Sequence, residues 1–121
     1  MPDRFSSSLT RARTAPAPDE PELLAGVTDR RLLFGHTHLP FARTAAGPHG
    51  PVELVNPGSV GMPLDGDRRA AYAVVRADGT VEHRRVAYDS AASAAAVRER
   101  GGPQGWGDVV ARRIEQAALV G

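Results

Sequence analysis

Two histidines one residue apart, His36 and His38, are the side chains in this sequence best suited to chemistry. Imidazole is the commonest neutral nitrogen ligand for divalent metals, and two of them at this spacing can address one ion or two neighbouring ions. The alternative is a pair of polar loop residues, so the surroundings decide between the two readings. Before the pair stands Leu32-Leu33-Phe34-Gly35, an apolar run that stops at a glycine. That pattern predicts a short buried strand ending in a sharp turn, and strand ends are where scaffolds present chemical groups. After it, Val52-Glu53-Leu54-Val55 alternates once and breaks at Asn56-Pro57, which predicts a short strand returning toward the histidines. In the turn that follows, the Asn56 amide can fix the backbone, Pro57 restricts φ, and Gly58 permits a conformation other residues resist. A structural role for Asn56 and Ser59 is therefore preferred to a catalytic one. His49 falls in the turn sequence Gly47-Pro48-His49-Gly50 and is read as a solvated residue, not a ligand.

Several elements must position this loop. Glu22-Leu23-Leu24-Ala25-Gly26-Val27 predicts a short helix with an acidic start and a breaker at Gly26, covering the edge of the strand that leads to Gly35. Ala71–Arg76 and Val81–Tyr88 flank Ala77-Asp78-Gly79-Thr80, and Asp-Gly between two β-favouring runs is a strong hairpin signal. His83 then lies on the second strand as a surface or cross-strand residue. Asp89 or Ser90 can cap a helix from Ala91 to Arg100, stopped by Gly101-Gly102-Pro103. A second helix, from about Asp108 to Leu119, carries Val110, Ile114 and Ala117 at helical spacing, with Trp106 expected to dock between the two helices.

A length of 121 residues allows one modest domain. Only six residues are Phe, Trp or Tyr and much of the apolar fraction is alanine, so the core is thin. Formal net charge is +1, and all fifteen basic residues are Arg. They sit in pairs among acidic residues, as in Asp29-Arg30-Arg31 and Asp67-Arg68-Arg69, so no basic stripe supports a nucleic-acid partner. The lack of Cys excludes a disulfide framework, thiolate metal sites and cysteine nucleophiles, and fits a cytoplasmic protein. No apolar run reaches the length of a membrane span. Residues 1–21 combine Ser6-Ser7-Ser8 with arginines and prolines and few apolar anchors, which predicts a disordered leader ahead of a domain at 22–121.

Gly35-His36-Thr37-His38 followed by Asn56-Pro57-Gly58-Ser59 resembles the C-terminal part of the calcineurin-like metallophosphoesterases, in particular their small bacterial phosphodiesterase-like branch. The resemblance covers roughly residues 22 to 88. It implies an α+β chain carrying part of an α/β/β/α sandwich, mainly the C-terminal sheet with a β-hairpin followed by two helices. It also implies hydrolysis of phosphodiesters or phosphomonoesters at a two-metal centre holding Mn, Zn, Fe or Mg, with His36 ligating one ion and His38 the other. Asn56, Gly58 and Ser59 would form the loop beside that site. Many members have a basic residue after the proline that corresponds to Pro63, where this chain has Leu64, which leaves no side chain for a phosphate contact there.

The resemblance also implies earlier ligands in an Asp-x-His, a Gly-Asp and a Gly-Asn-His or Gly-Asn-Asp motif, and none of these stands ahead of the histidines in this sequence. It contains no Asp-x-His, Asn56 is its only asparagine, and Gly66-Asp67 and Gly107-Asp108 follow the histidines instead of preceding them. Two imidazoles make a weak, incomplete site, since a stable zinc centre takes about three or four protein ligands. The expectation is a C-terminal fragment of a metal-dependent phosphoesterase, inactive alone, whose partner is a missing N-terminal half or a second copy covering an exposed inner sheet face. The competing expectation is a non-catalytic binding or assembly module derived from the same fold.

Overall fold

The computed structural model describes residue 16, residues 18–102 and residues 105–121. Most of the expected leader at 1–21 lies outside these residues. Helix α1 (Glu20–Leu23) already includes its last two positions, with Pro21 in the first turn, where its missing N–H leaves no bond unmade. The helix thus begins and ends earlier than the Glu22–Val27 pattern predicts. The chain turns away at Leu24 and Val27, both buried, with the Val27 N–H on the Leu24 carbonyl at 3.0 Å.

Strands β1 (Arg31–Leu33), β2 (Phe41–Gly47) and β3 (Gly50–Asn56) form one sheet in the order β1-β3-β2. β3 runs parallel to β1 and antiparallel to β2, with Leu33 opposite Val55 and Phe41 opposite Asn56. One face of this sheet meets α1 in a core of Leu24, Val27, Phe41, Ala45, Val52 and Leu54, with Leu32 and Phe34 packed against it. Phe34 and Phe41 stack edge to face, centroids 5.6 Å apart. Buried Glu20 and half-buried Arg43 form an ion pair that ties α1 to β2. β1 is not the buried strand its sequence predicts. It is an edge strand, among the described residues paired on one side alone, and Leu33 is 59% exposed.

Strands β4 (Ala70–Val75) and β5 (Val81–Val86) form the expected hairpin as a separate two-stranded sheet, closed by Val75 opposite Val81. Helices α2 (Ser90–Gly101) and α3 (Trp106–Gln116) follow. Asp89 caps α2 by accepting the Ala92 N–H at 3.0 Å. The α2–α3 core is Ala94, Ala111 and Ile114, with Met62, Val97 and Val110 beside it. Trp106 does not dock between the helices but is 62% exposed. The backbones of Gly101 and Gly107 approach so closely that a Cβ on Gly101 would stand 2.3 Å from the Gly107 Cα, so backbone fills the helix contact and the indole lies at its edge. No helix among the described residues is long and apolar enough to cross a membrane.

Candidate metal-ligand loop

The histidine loop connects the end of β1 to the start of β2, and β3 delivers the Asn-Pro-Gly-Ser turn against it from the middle of the same sheet. The parallel pairing continues past β1, with the Phe34 N–H on the Val55 carbonyl at 3.0 Å, so Gly35 and Asn56 leave the sheet side by side. Asn56 is fully buried. Its amide nitrogen donates to Thr37 Oγ1 at 2.9 Å and faces the Gly35 carbonyl at 3.5 Å, while its Oδ1 accepts the Gly58 N–H at 2.9 Å. One side chain thus closes its own turn, as its sequence context predicts, and also holds the residue between the two histidines. Gly58 has φ +87°, and a Cβ there would lie 3.0 Å from the Ala71 Cβ and 3.2 Å from Pro40. Glycine meets both the conformational and the steric demand.

His36 and His38 both adopt positive φ, 80° and 62°. Such backbone in a residue with a Cβ costs on the order of 1–3 kcal/mol and persists only where the surroundings over-determine it. Here they do. The His38 carbonyl accepts the Leu64 N–H at 3.3 Å, and His38 Nδ1 lies 2.8 Å from the Met62 carbonyl. A carbonyl only accepts, so Nδ1 carries the proton, and the lone pair of the neutral ring sits on Nε2. An imidazole oriented through a carbonyl in this way has its other nitrogen fixed for metal ligation. His36 is exposed, and no hydrogen bond from its ring is found among the described residues. Ser59 Oγ accepts the Met62 N–H at 3.0 Å, so its hydroxyl shapes the loop that supplies the carbonyl for His38. Met62 also packs against the α2–α3 core, and Gly66 N–H bonds the Ala117 carbonyl at 2.8 Å, so the helical pair braces this loop.

Asn56, Gly58 and Ser59 thus stand against the loop that carries His36 and His38, and His49 lies elsewhere. His49 is exposed in the β2–β3 turn, its Nε2 on the Ala25 carbonyl at 2.9 Å. Thr37 and Met62 are positioning residues that sequence reasoning missed. Nothing in the sequence marks Met62, because the contact uses a carbonyl that any residue supplies. Leu64 is half-buried and contributes its backbone N–H to the loop.

Among the described residues no group of three or more His, Asp or Glu side chains could hold a metal ion. His38 presents one oriented nitrogen and His36 one exposed ring, and no carboxylate stands with them to bridge two ions. These residues do not by themselves fit a dinuclear centre.

The fold is similar to part of a metallophosphoesterase. In particular, the chain is similar to the crystal structure of a metallophosphoesterase from Sphaerobacter thermophilus, with a TM-score of 0.59 and 28% sequence identity over 74% of this chain. It matches the C-terminal part of that protein and spans 42% of its length, so the architecture here is a partial metallophosphoesterase fold. No protein-family model matches the sequence, and no curated protein matches it.

Proposed function

We propose that this chain supplies the last corner of a divalent-metal phosphoesterase centre, with His36 and His38 as its ligands and the remaining ligands provided by residues outside these 121. The observation that carries the reading is the clamp of Asn56 on Thr37. It holds the residue between two histidines at positive φ, a backbone conformation with a conformational cost. The likeness to the C-terminal part of a metallophosphoesterase supports the same reading. Within it, the small bacterial phosphodiesterase-like branch is the preferred relative, and the substrate is a phosphoester. When bound, the metals would activate water and stabilise the attacking and leaving oxygens. This chain's own contribution is to orient His38 through Met62 and to hold Thr37 through Asn56. The chain alone is expected to be inactive.

The test is hydrolysis of bis-p-nitrophenyl phosphate with Mn²⁺, by the chain alone and mixed with a segment that carries the Asp-x-His, Gly-Asp and Gly-Asn-His ligands. Turnover should appear in the mixture alone and vanish with His36→Ala or His38→Ala. Robust turnover by the lone chain that survives both substitutions would refute the proposal.

A second reading, a non-catalytic binding or assembly module, is favoured by one observation: Leu33 lies 59% exposed on an edge strand. An unpaired strand edge with an apolar side chain is a template for another chain. Size-exclusion and cross-linking of the isolated chain distinguish this reading, which requires self-association or capture of a strand with no gain of hydrolysis.

A further inference from the structure

His83 is an exposed residue on β5, and nothing in its sequence neighbourhood marks it for a role. Its Nε2 nevertheless lies 2.9 Å from the backbone carbonyl of Asn56, across the gap between the two sheets. The carbonyl only accepts, so Nε2–H is the donor, whether the ring is neutral or charged. Asn56 is the residue whose side chain spans Thr37 and Gly58. The peptide that His83 grips leads into Pro57, which has no N–H of its own to anchor it.

The same hairpin takes hold of the turn at its other end. The Ala71 N–H donates to the Ser59 carbonyl at 2.9 Å, and Ala71 packs where Gly58 has no Cβ. The Arg31 guanidinium contacts the Gly79 carbonyl at the hairpin tip, fixing the hairpin along the sheet that carries the histidine loop. Asn56-Pro57-Gly58-Ser59 is thus gripped from the hairpin at its first and last carbonyls. Rotation of the Asn56 peptide would swing the Asn56 side chain away from Thr37, and Thr37 sits between the two strained histidines.

We propose that His83 is a positioning residue for the His36–His38 loop, acting through the Asn56 carbonyl and the Asn56–Thr37 hydrogen bond. This deepens the proposed function and rests on it for its purpose, though not for its geometry. Since His83 is exposed, its removal is compatible with folding, and the effect is expected to be local.

The experiment compares His83→Ala and His83→Gln with wild type in the full chain. It measures amide exchange of Gly58, the imidazole nitrogen signals of His36 and His38 by NMR without metal, and the affinity for Ni²⁺. His83→Ala should speed Gly58 exchange roughly threefold to tenfold, the ratio expected for loss of one neutral hydrogen bond. The imidazole signals of His38 should move toward a tautomer mixture, and Ni²⁺ should bind several-fold more weakly. His83→Gln, which keeps an N–H donor of similar reach, should recover most of each effect. The amides of Ala45 and Leu54 should be unaffected. Unchanged Gly58 exchange and imidazole signals in His83→Ala would overturn the proposal, as would a His83→Gln variant no better than His83→Ala. Uniform loss of protection across β2 and β3 would reveal a merely structural contact and overturn it equally. If wild type binds no Ni²⁺, the proposed function falls, while the metal-free signals still decide the role of His83.

Discussion

Replacing Asn56 by Ala removes a fully buried side chain that makes two good hydrogen bonds, to Thr37 Oγ1 and from the Gly58 N–H, each 2.9 Å. Each bond is worth about 1 kcal/mol net, and a donor left buried without a partner costs about 1–3 kcal/mol more. Some of that penalty is recovered if water enters, so Asn56→Ala should destabilise by about 2–4 kcal/mol. Domains of this kind have about 5–15 kcal/mol in all, so the variant should remain folded but with little margin. The assay is urea unfolding followed by far-ultraviolet circular dichroism. Trp106 is 62% exposed and reports poorly on this part of the fold. Thr37→Val isolates one limb of the clamp, and a double-mutant cycle with Asn56→Ala should give a coupling of about 0.5–1.5 kcal/mol. A loss below about 0.5 kcal/mol for Asn56→Ala, with the two variants additive, would refute the argument that Asn56 clamps the loop.

Other outcomes follow from the same geometry. Gly58→Ala should cost about 2–4 kcal/mol, since the new Cβ meets Ala71 and Pro40 at positive φ, and thermal unfolding would measure it. His36→Gly should be neutral or stabilising by up to about 1 kcal/mol, because it releases strain at φ 80°, and a clear destabilisation would contradict that strain. Arg43→Met should cost about 3–5 kcal/mol in a denaturant titration by leaving the Glu20 carboxylate buried without its ion pair. Two carboxylates give a pH dependence. The Arg69 side chain, and then its backbone N–H, hold Asp67 down to about 2 from an ordinary 3.8. Hydrogen bonds from Arg84 and then Arg76 hold Glu82 down to about 2 from 4.5. Both values are depressed by folding, so their stabilisation is complete above about pH 4.5 and is lost as pH falls through about 2. Carboxyl carbon NMR titrations should give midpoints near that value, rising with added salt.

The sequence carried the features whose signals are local. Asp78-Gly79 between two β-rich runs specified the β4–β5 hairpin, because a tight turn demands positive φ and Gly79 has φ +90°. Asp89 specified the start of α2 through its side-chain oxygen. The loop pair was legible as two motifs in order, and the sheet register then brought them together. What stayed hidden was decided by neighbours distant in the chain. β2 was missed because Phe41–Gly47 alternates buried Phe41 and Ala45 with polar or small residues too weakly apolar to stand out. Leu33 read as buried, since composition does not tell an edge strand from a central one. Trp106 read as core, since its exclusion follows from the approach of two glycines on different helices. Met62 acts through its own backbone carbonyl and His83 on that of Asn56, and no residue-type pattern marks such a contact.

The central claim is that His36 and His38 form one corner of a metal centre and not a complete one. The most direct measurement is a Ni²⁺ or Mn²⁺ titration of the full chain, with the imidazole nitrogens of all four histidines followed by NMR. The account predicts weak binding of one ion that perturbs His36 and His38, with Nε2 of His38 as the ligating atom, and leaves His49 and His83 in place. Either alanine substitution should abolish it. Tight, stoichiometric uptake of two ions, or binding unchanged in the His36→Ala His38→Ala double variant, would contradict it.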